Sequence, residues 1–308
     1  MKALILTDGK AGHENQSKAF ARAIGAEFDI VPVKFRSKAA KALSYVLDNL
    51  AIRSTALFKI TWDGIKPGKY DVVIATGSGT FYAAKSMAGK LSVPCAVVLF
   101  PRGYHISSFD CILAPAFDNP PRMPNIIEIP VNLVASDKSF YESGVKAFIE
   151  RHGGTPATTD AVAVIVGGPN KCSSMTPEWM RSQLEEIFAL HKRSGREIWV
   201  TTSRRTPADV EAVVDSFPFD YKLIYSKDSF NPIPAFVSLS SHIYVTAEST
   251  GMLSEACTFG KAEVHVMDNL NPGPHKFRRF AESCARLGTE KVDLAKCFAK
   301  ARSLLFRN

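Results

Sequence analysis

Histidine, carboxylate and arginine side chains stand just after several apolar runs of this chain, where they could take part in chemistry. His13 lies in the segment TDGKAGHENQS, which follows the apolar run Lys2–Thr7. A neutral imidazole there could act as a general base, and the first N–H groups of a following helix could bind an anion. A polar helix start with a solvated histidine would have the same spacing, so both interpretations stay open.

Glycine-rich and basic segments follow two apolar runs in the second half of the chain. The segment VGGPNK offers backbone N–H groups to a diphosphate, through Gly167, Gly168 and Asn170. The segment TTSRRTP contains four further polar candidates: Ser203, Arg204, Arg205 and Thr206. We expect Thr206 to cap a helix opened by Pro207. Two arginines at the positive end of a helix favour a phosphate ligand; one solvated and one salt-bridged arginine is the alternative.

The segment TAESTGMLSEACTFGK combines two carboxylates with hydroxyl groups at a predicted helix start. Its candidates are Glu248, Ser249, Thr250 and Glu255. Glu248 and Glu255 are seven residues apart, which predicts that they lie two turns apart on one helix face. Two such acceptors could bind two hydroxyl groups of an extended ligand, although the same spacing is common on solvated helix faces.

Short apolar runs alternate with helical patterns and predict the elements that position these residues. This alternation indicates βαβ units, parallel sheets and helices on both faces, that is, an α/β fold. Predicted strands are 2–7, 28–33, 72–76, 95–100, 111–114, 126–129, 161–166, 197–202, 221–225, 242–246 and 263–267. Predicted helices are 15–24, 39–57, 80–90, 177–193, 207–217, 249–258, 276–287 and 292–306. Ligands of such sheets bind at the loops that follow the strands.

Length and composition indicate two domains. The chain has 308 residues, of which 46% are hydrophobic and 22% charged, and such a length suits two α/β domains. A polar segment interrupts the alternation, so we predict an N-terminal domain at 1–152, a linker at 153–160, a C-terminal domain at 161–290 and a last helix at 291–308. We expect this last helix to return to the N-terminal domain, and a ligand site in a cleft between the domains.

The net charge and the cysteines indicate which partners the protein binds and in which cellular compartment it works. The net charge of +8 favours anionic partners. Nucleic acid is disfavoured, because no stacking aromatics are interleaved with the basic residues. The six cysteines show no CxxC spacing, which indicates free thiols in a reducing cytoplasm. No apolar run is long enough to span a membrane, and the first residues do not resemble a signal peptide.

Three of these segments together resemble one family. The segments DGKAGHENQS, TSRRTP and AESTGMLSEACTFGK are similar to those of bacterial relatives of the plant mitochondrial-fission (Elm-type) protein. Those proteins resemble GT-B glycosyltransferases, which carry two Rossmann-like domains with parallel sheets facing across a cleft. The family usually has Asp where Glu248 stands, and Gly-Lys-Pro where this chain has Gly260-Lys261-Ala262.

The resemblance implies roles for the candidate residues. The C-terminal domain would bind a nucleotide-diphosphate sugar as substrate, with Glu255 on the ribose and Ser249 and Thr250 near the diphosphate. His13 would be the catalytic base. Neither metal nor cofactor is expected at a GT-B donor site. Acceptor-side loops of the N-terminal domain would contribute Gly9, Lys10, Gly12, Asn15, Gly77, Ser78, Gly79 and Arg102.

Alternatives remain within the same resemblance. A nucleotide-sugar epimerase or hydrolase would share the fold, and a non-catalytic scaffold that recruits a partner to membranes would suit the family name. Six basic residues between Lys34 and Lys59 flank the apolar residues of a predicted helix. They suit an anionic membrane surface and a lipid-linked cell-envelope acceptor, with the protein peripheral at the inner face of the membrane. An ordinary core-facing helix with a solvated basic side is the other interpretation.

Overall fold

The computed structural model describes residues 1–61, 63–134, 138–153, 160–191 and 193–306. They belong to two compact units. Unit 1 comprises Met1–Ala135 together with Asp293–Asn308, and unit 2 comprises Ser136–Val292. Most of the predicted linker, residues 154–159, lies outside the described part of the chain.

Unit 1 contains a seven-stranded sheet in the order β3-β2-β1-β4-β5-β6-β7, in which β3 alone is antiparallel to its neighbour. Strands β1, β4 and β5 are almost completely buried, because helices cover both faces. The elements are β1 Lys2–Thr7, α1 Ala11–Ala23, β2 Glu27–Phe35, α2 Lys38–Asn49, β3 Phe58–Ile60, β4 Val72–Thr76, α3 Phe81–Leu91, β5 Cys95–Val98, β6 Cys111–Pro115 and β7 Ile126–Ile129.

Unit 2 contains a five-stranded parallel sheet in the order β10-β9-β8-β11-β12. The elements are α4 Lys138–His152, β8 Ala161–Ile165, α5 Pro177–His191, β9 Ile198–Thr201, α6 Ala208–Ser216, β10 Tyr221–Leu223, α7 Ile233–Leu239, β11 Ser240–Thr246, α8 Thr250–Thr258, β12 Glu263–Met267 and α9 Lys276–Leu287. The predicted α/β class with two Rossmann-like parallel sheets is confirmed.

Helix α4 lies in unit 2, whereas we had predicted residues 1–152 as one domain. The cause is its apolar face: Phe148 is fully buried, and its ring lies 5.0 Å from that of Trp199 and 4.7 Å from that of Tyr221. Helix α4 also packs along α7. Its sequence therefore completes the core of the second sheet.

The final helix, α10 Ala295–Leu305, belongs to unit 1. It packs on β6 and β7 and buries Ala301 and Leu305. The Arg302 guanidinium donates a 2.8 Å hydrogen bond to the carbonyl of Ile24. Unit 1 is thus assembled from two separate parts of the chain.

Each sheet has one point at which the strand order reverses, and we call this point its switch point. In unit 1 the chain leaves β1 for β2 on one side and returns to β4 on the other, and in unit 2 the strands β8, β9 and β11 are arranged likewise. Loops that follow the two central strands diverge there and leave room for a ligand. None of the described helices is both long and apolar enough to cross a membrane.

Candidate functional site

The switch point of unit 1 holds a carboxylate–imidazole pair. Asp8 directly follows β1, and both of its carboxylate oxygens lie 3.1 Å from Nδ1 of His13. His13 lies in the first turn of α1, which begins at Ala11 and not at Asn15 as predicted. Because a carboxylate that contacts Nδ1 fixes the proton there, it leaves Nε2 free to accept a proton from a substrate.

Burial and charge oppose each other at Asp8. Burial acts to raise the pKa of Asp8, but the charge of His13 and hydrogen bonds from Lys10 outweigh it, and the pKa lies below its usual value. The carboxylate therefore stays ionised throughout the neutral range. It can stabilise an imidazolium that forms when His13 takes up a proton.

The loop after β4 makes room for this pair. Gly77 has a positive φ of 87°, and a Cβ built on it would lie 2.4 Å from Cε1 and 2.5 Å from Nδ1 of His13. A Cβ on Gly79 would lie 3.1 Å from the Asp8 carboxylate. The two glycines predicted from sequence to line a ligand loop thus contact the Asp8–His13 pair itself.

Asp8 also lines a large basic cavity in unit 1, of about 780 Å³. Gly9 and Gly79 lie on its wall with Asp8, and the other lining residues include the apolar Val33, Phe35 and Ile60. Five further lining residues are cationic: Lys34, Arg36, Lys38, Lys41 and Lys59. Lys34 and Lys59 face each other across the β2–β3 pair, where like charges are unfavourable. Such a lining suits an anionic ligand.

Only some of the other predicted acceptor-side residues lie near the Asp8–His13 pair. Lys10 pairs with Asp8 at 3.2 Å, and Ser78 accepts a 3.0 Å hydrogen bond from Lys41. Gly12 and Asn15 are exposed on α1. Arg102 hydrogen-bonds to the carbonyl of Asp118, lies 3.9 Å from the Asp118 carboxylate and stands over the ring of Phe100, so its guanidinium already has local partners.

At the switch point of unit 2, the glycine pair after β8 meets the segment after β11. The N–H of Gly167 donates to Oγ1 of Thr246 at 2.9 Å, and the N–H of Gly168 donates to Oε1 of Glu248 at 2.7 Å. A Cβ on Gly167 would overlap Oε1 of Glu248, at 2.0 Å. Two of the backbone donors that we predicted for a diphosphate are therefore already used within the protein.

Glu248 does not share a helix face with Glu255, contrary to our prediction. It precedes α8, which begins at Thr250, and its side chain turns into the protein, where the residue is 3% exposed. Within the described part of the chain, its Oε2 is buried without a hydrogen-bond partner. One carboxylate oxygen thus positions Gly168, and the other can accept one more hydrogen bond.

Helix α8 begins beside this carboxylate. Ser249 is its buried N-cap residue, its side chain makes no capping hydrogen bond, and Thr250 is the first helical residue. A Cβ on the exposed Gly251 would meet no atom within 4 Å. The first turn therefore offers N–H groups with an open approach, and the N-terminal partial charge of the helix favours an anion there.

Glu255 lies on α8 with its carboxylate largely enclosed. The hydroxyl of Tyr141, from α4, donates a 2.9 Å hydrogen bond to Oε1, and the Tyr141 ring packs on Phe259 at 4.4 Å. Burial raises the pKa of Glu255, and the Tyr141 hydrogen bond opposes this effect. The carboxylate is thus oriented by α4, an element that the sequence did not predict.

The segment after β9 presents its arginines outward. Arg204 and Arg205 are exposed, and neither guanidinium has a partner in the part of the chain that the structure describes. Thr206 does not cap α6 as predicted, because its hydroxyl binds the carbonyl of Gly167 and the N–H of Ser203. Asn170 closes a local turn with Cys172 at 2.7 Å.

Sequence reasoning missed two contributors to these sites. Asp8 was visible as an acid directly after a strand and five residues before His13, a signal that could have been used. Tyr141 carried no usable signal, because its contact with Glu255 spans 114 residues of sequence. Contacts of that separation depend on the tertiary fold.

Two doubly wound units with their candidate residues at the switch points define the class: an α/β protein of GT-B-like fold. The chain belongs to the family described as Mitochondrial fission ELM1, which it matches over residues 11–293. The predicted family is thereby confirmed.

One protein of similar sequence and two solved structures of similar fold cover almost the whole chain. An uncharacterized protein of Rickettsia prowazekii (strain Madrid E) is 22% identical, covering 96% of this chain and 92% of its own. The structure of UDP-GlcNAc 2-epimerase from Methanocaldococcus jannaschii has a TM-score of 0.53 at 14% identity, covering 100% of this chain and 93% of its own. UDP-GlcNAc 2-epimerase from Neisseria meningitidis bound to UDP-GlcNAc has a TM-score of 0.51 at 13% identity, with coverages of 99% and 97%. These two likenesses concern the fold.

Proposed function

We propose that this protein is a GT-B-type glycosyltransferase that moves a sugar from a nucleotide-diphosphate sugar to an anionic cell-envelope acceptor. The observation that carries the proposal is the Asp8–His13 pair, whose carboxylate lines the basic cavity of unit 1. An acceptor hydroxyl bound there would lose its proton to Nε2 of His13. Its oxygen would then attack the sugar carbon that carries the diphosphate.

The donor would bind unit 2. Glu255 would accept hydrogen bonds from the ribose, and the first turn of α8 with Ser249 and Thr250 would bind the diphosphate. Arg204 and Arg205 are free to neutralise the charge that the leaving diphosphate gains, because neither is paired within the described residues. No metal ion is needed in this scheme, since helix N–H groups and guanidinium groups supply the positive charge.

Calorimetry with UDP, ADP, GDP and CDP tests the donor part. One of them should bind with one nucleotide per protein chain. Glu255→Ala should weaken that binding at least tenfold through loss of charged hydrogen bonds. Glu178→Ala is the matched control, since Glu178 is exposed in the first turn of α5. Absence of binding by all four, or equal binding by Glu255→Ala, would rule out the proposed donor site.

Transfer is tested separately from binding. His13→Ala should retain nucleotide binding and lose transfer by roughly 10²–10⁴-fold, the usual contribution of a general base. An epimerase or hydrolase would instead consume donor with no acceptor present. A scaffold would keep its function in both His13→Ala and Arg204→Ala, which would exclude catalysis as the role.

Helix α2 supports a membrane-linked acceptor. Leu43 and Val46 of α2, and Leu50 and Ile52 just after it, are exposed by 45–63%. Only Ser44 and Asp48 of α2 are fully buried. Tyr45 and Leu47 are partly buried against the core, so the exposed apolar residues form a second apolar surface that the core does not cover. Exposed apolar groups beside the cationic cavity suit an anionic lipid surface, and we include such docking in the proposal.

Vesicle flotation tests this docking. The protein should float with vesicles that contain anionic lipid and remain behind with neutral ones. Val46→Ser combined with Leu50→Ser should abolish flotation, whereas Leu190→Ser should not, although Leu190 in unit 2 is equally exposed at 65%. Equal flotation of all variants would contradict the proposed role of α2.

A further inference from the structure

Two histidines and a glutamate converge on the sheet of unit 2, far from its switch point along the strands. His242 lies near the start of β11, and Glu263 and His265 lie on the edge strand β12. Glu263 is the register partner of His242, and His265 is two residues further along the same strand. Because side chains alternate along a strand, all three are on one face of the sheet.

Their polar atoms form a small triangle. Nδ1 of His242 lies 3.0 Å from Nε2 of His265 and 3.6 Å from Oε2 of Glu263, and the last two atoms are 3.9 Å apart. A point about 2.1 Å from all three atoms lies inside that triangle, which matches the usual zinc–nitrogen and zinc–oxygen distances. A hydrogen bond between the two imidazoles explains the shortest side only, and leaves the convergence of the carboxylate unexplained.

The surroundings hold this geometry and leave an approach. Tyr244 stacks on His265 at 4.4 Å, and its hydroxyl lies 2.9 Å from Nε2 of His191. Glu263 and His265 line a cavity of about 360 Å³ together with Glu186. The three side chains are 23–42% exposed, so an ion can reach them from that side.

We propose that His242, Glu263 and His265 bind one divalent transition-metal ion, of which Zn²⁺ best fits the donors. Two imidazole nitrogens and one carboxylate oxygen are zinc ligands, and three protein ligands leave a fourth position open towards the cavity. The site lies at the amino ends of β11 and β12, whereas Glu248 follows the carboxyl end of β11. It is therefore independent of the proposed donor site, and it would tie the edge strand β12 to β11.

Metal titration of the untagged, full-length protein tests the site. After removal of metal by a chelator, Zn²⁺ should bind with a stoichiometry of one, and Co²⁺ in its place should give visible absorption of a low-coordinate ion. His265→Gln and Glu263→Gln should each weaken binding at least a hundredfold. His152→Gln is the matched control, because His152 pairs with a single carboxylate, that of Glu197.

Stability provides a second readout. Zn²⁺ should raise the thermal midpoint of the wild type and of His152→Gln, because a ligand of the folded state stabilises it. It should leave the midpoint of Glu263→Gln unchanged. Because glutamine has nearly the same shape as glutamate, Glu263→Gln still tests the site if His265→Gln does not fold. Absence of saturable Zn²⁺ binding, or equal binding by Glu263→Gln, would overturn the proposal. Nucleotide binding should be the same in Glu263→Gln and the wild type, which separates this test from that of the proposed function.

Discussion

The position of the His13 ring is fixed by two contacts, one of them electrostatic and the other steric. Asp8 holds Nδ1 electrostatically, while Gly77 leaves the space into which the ring fits. The catalytic role that we propose depends on both, because a base must lie within hydrogen-bond reach of the proton that it removes. A small steric change at Gly77 should therefore act like a change of His13 itself.

Gly77→Ala should lower transfer activity roughly 10²-fold or more without changing nucleotide affinity. Its Cβ would stand 2.4 Å from the ring, which must move, and φ of 87° is unfavourable for alanine. Steady-state kinetics and calorimetry measure the two effects. Gly89→Ala in α3 is the control, since its Cβ would meet no atom within 4 Å; equal losses in both variants would contradict this explanation.

The raised pKa of Glu255 predicts a pH effect on nucleotide affinity. In the proposed donor site the ionised carboxylate would accept hydrogen bonds from the ribose hydroxyls, so affinity should fall as the pH decreases through this raised pKa. Tyr141→Phe removes a hydrogen bond that lowers the pKa of Glu255, and should move the midpoint of this loss to higher pH. Calorimetry across pH measures it. Tyr225→Phe should leave the midpoint unchanged, and an unshifted midpoint in Tyr141→Phe would count against the role of Glu255.

At the scale of elements, a buried ion pair joins α2 to α3. Nζ of Lys85 lies 2.8 Å from the carboxylate of Asp48, and both side chains are almost completely buried. Arg53 and the N–H of His105 also bind this carboxylate. Burial lowers the pKa of Lys85 to about 8, against the opposing effect of Asp48. The network therefore adds to the packing of Tyr45 and Leu47 in holding α2 in place.

Lys85→Met should destabilise the protein by about 3 kcal/mol, because it leaves a buried carboxylate short of its main partner. The double variant Asp48→Asn with Lys85→Met should recover part of that loss, since no buried carboxylate then lacks its partner and the Arg53 guanidinium is partly exposed to water. Urea denaturation measures the free energies of unfolding. Lys146→Met, on an exposed position of α4, should change little; a loss as large as that of Lys85→Met would refute the argument.

Elements with strong local patterns were predictable, and those stabilised from a distance were not. Strands β1, β4, β7 and β12 were predicted to the residue, because short runs rich in β-branched and apolar residues and bounded by polar turns indicate strands. Strand β3 has only three residues, and α4 and α7 owe their helices to packing on each other. The candidate residues were found by their place after strands, but the burial of Glu248 and the contact of Tyr141 with Glu255 depend on the tertiary fold.

At the scale of the whole molecule, unit 1 depends on a helix from the far end of the chain. Ala301 of α10 is fully buried against this unit, whereas Ala299 of the same helix is exposed. Helix α10 covers β6 and β7. Its docking can therefore be disrupted without touching unit 2.

Ala301→Glu should loosen β6 and β7 and leave β8–β12 unaffected, because a buried unpaired charge opposes the docking of α10. Amide hydrogen exchange should be faster in β6 and β7 and unchanged in unit 2. Ala299→Glu places the same charge on the exposed face and should match the wild type. Faster exchange throughout both units would contradict the division into separately stabilised units.

This arrangement also orders events during protein synthesis. Residues 293–306 leave the ribosome after all of unit 2, although they complete the core of unit 1. Unit 2 is one continuous segment and can fold as soon as it has emerged. The first 134 residues, with the Asp8–His13 pair among them, emerge while the surface of β6 and β7 that α10 covers is still exposed. In a nascent chain the proposed donor-binding half is therefore complete in sequence before the half that carries the proposed base.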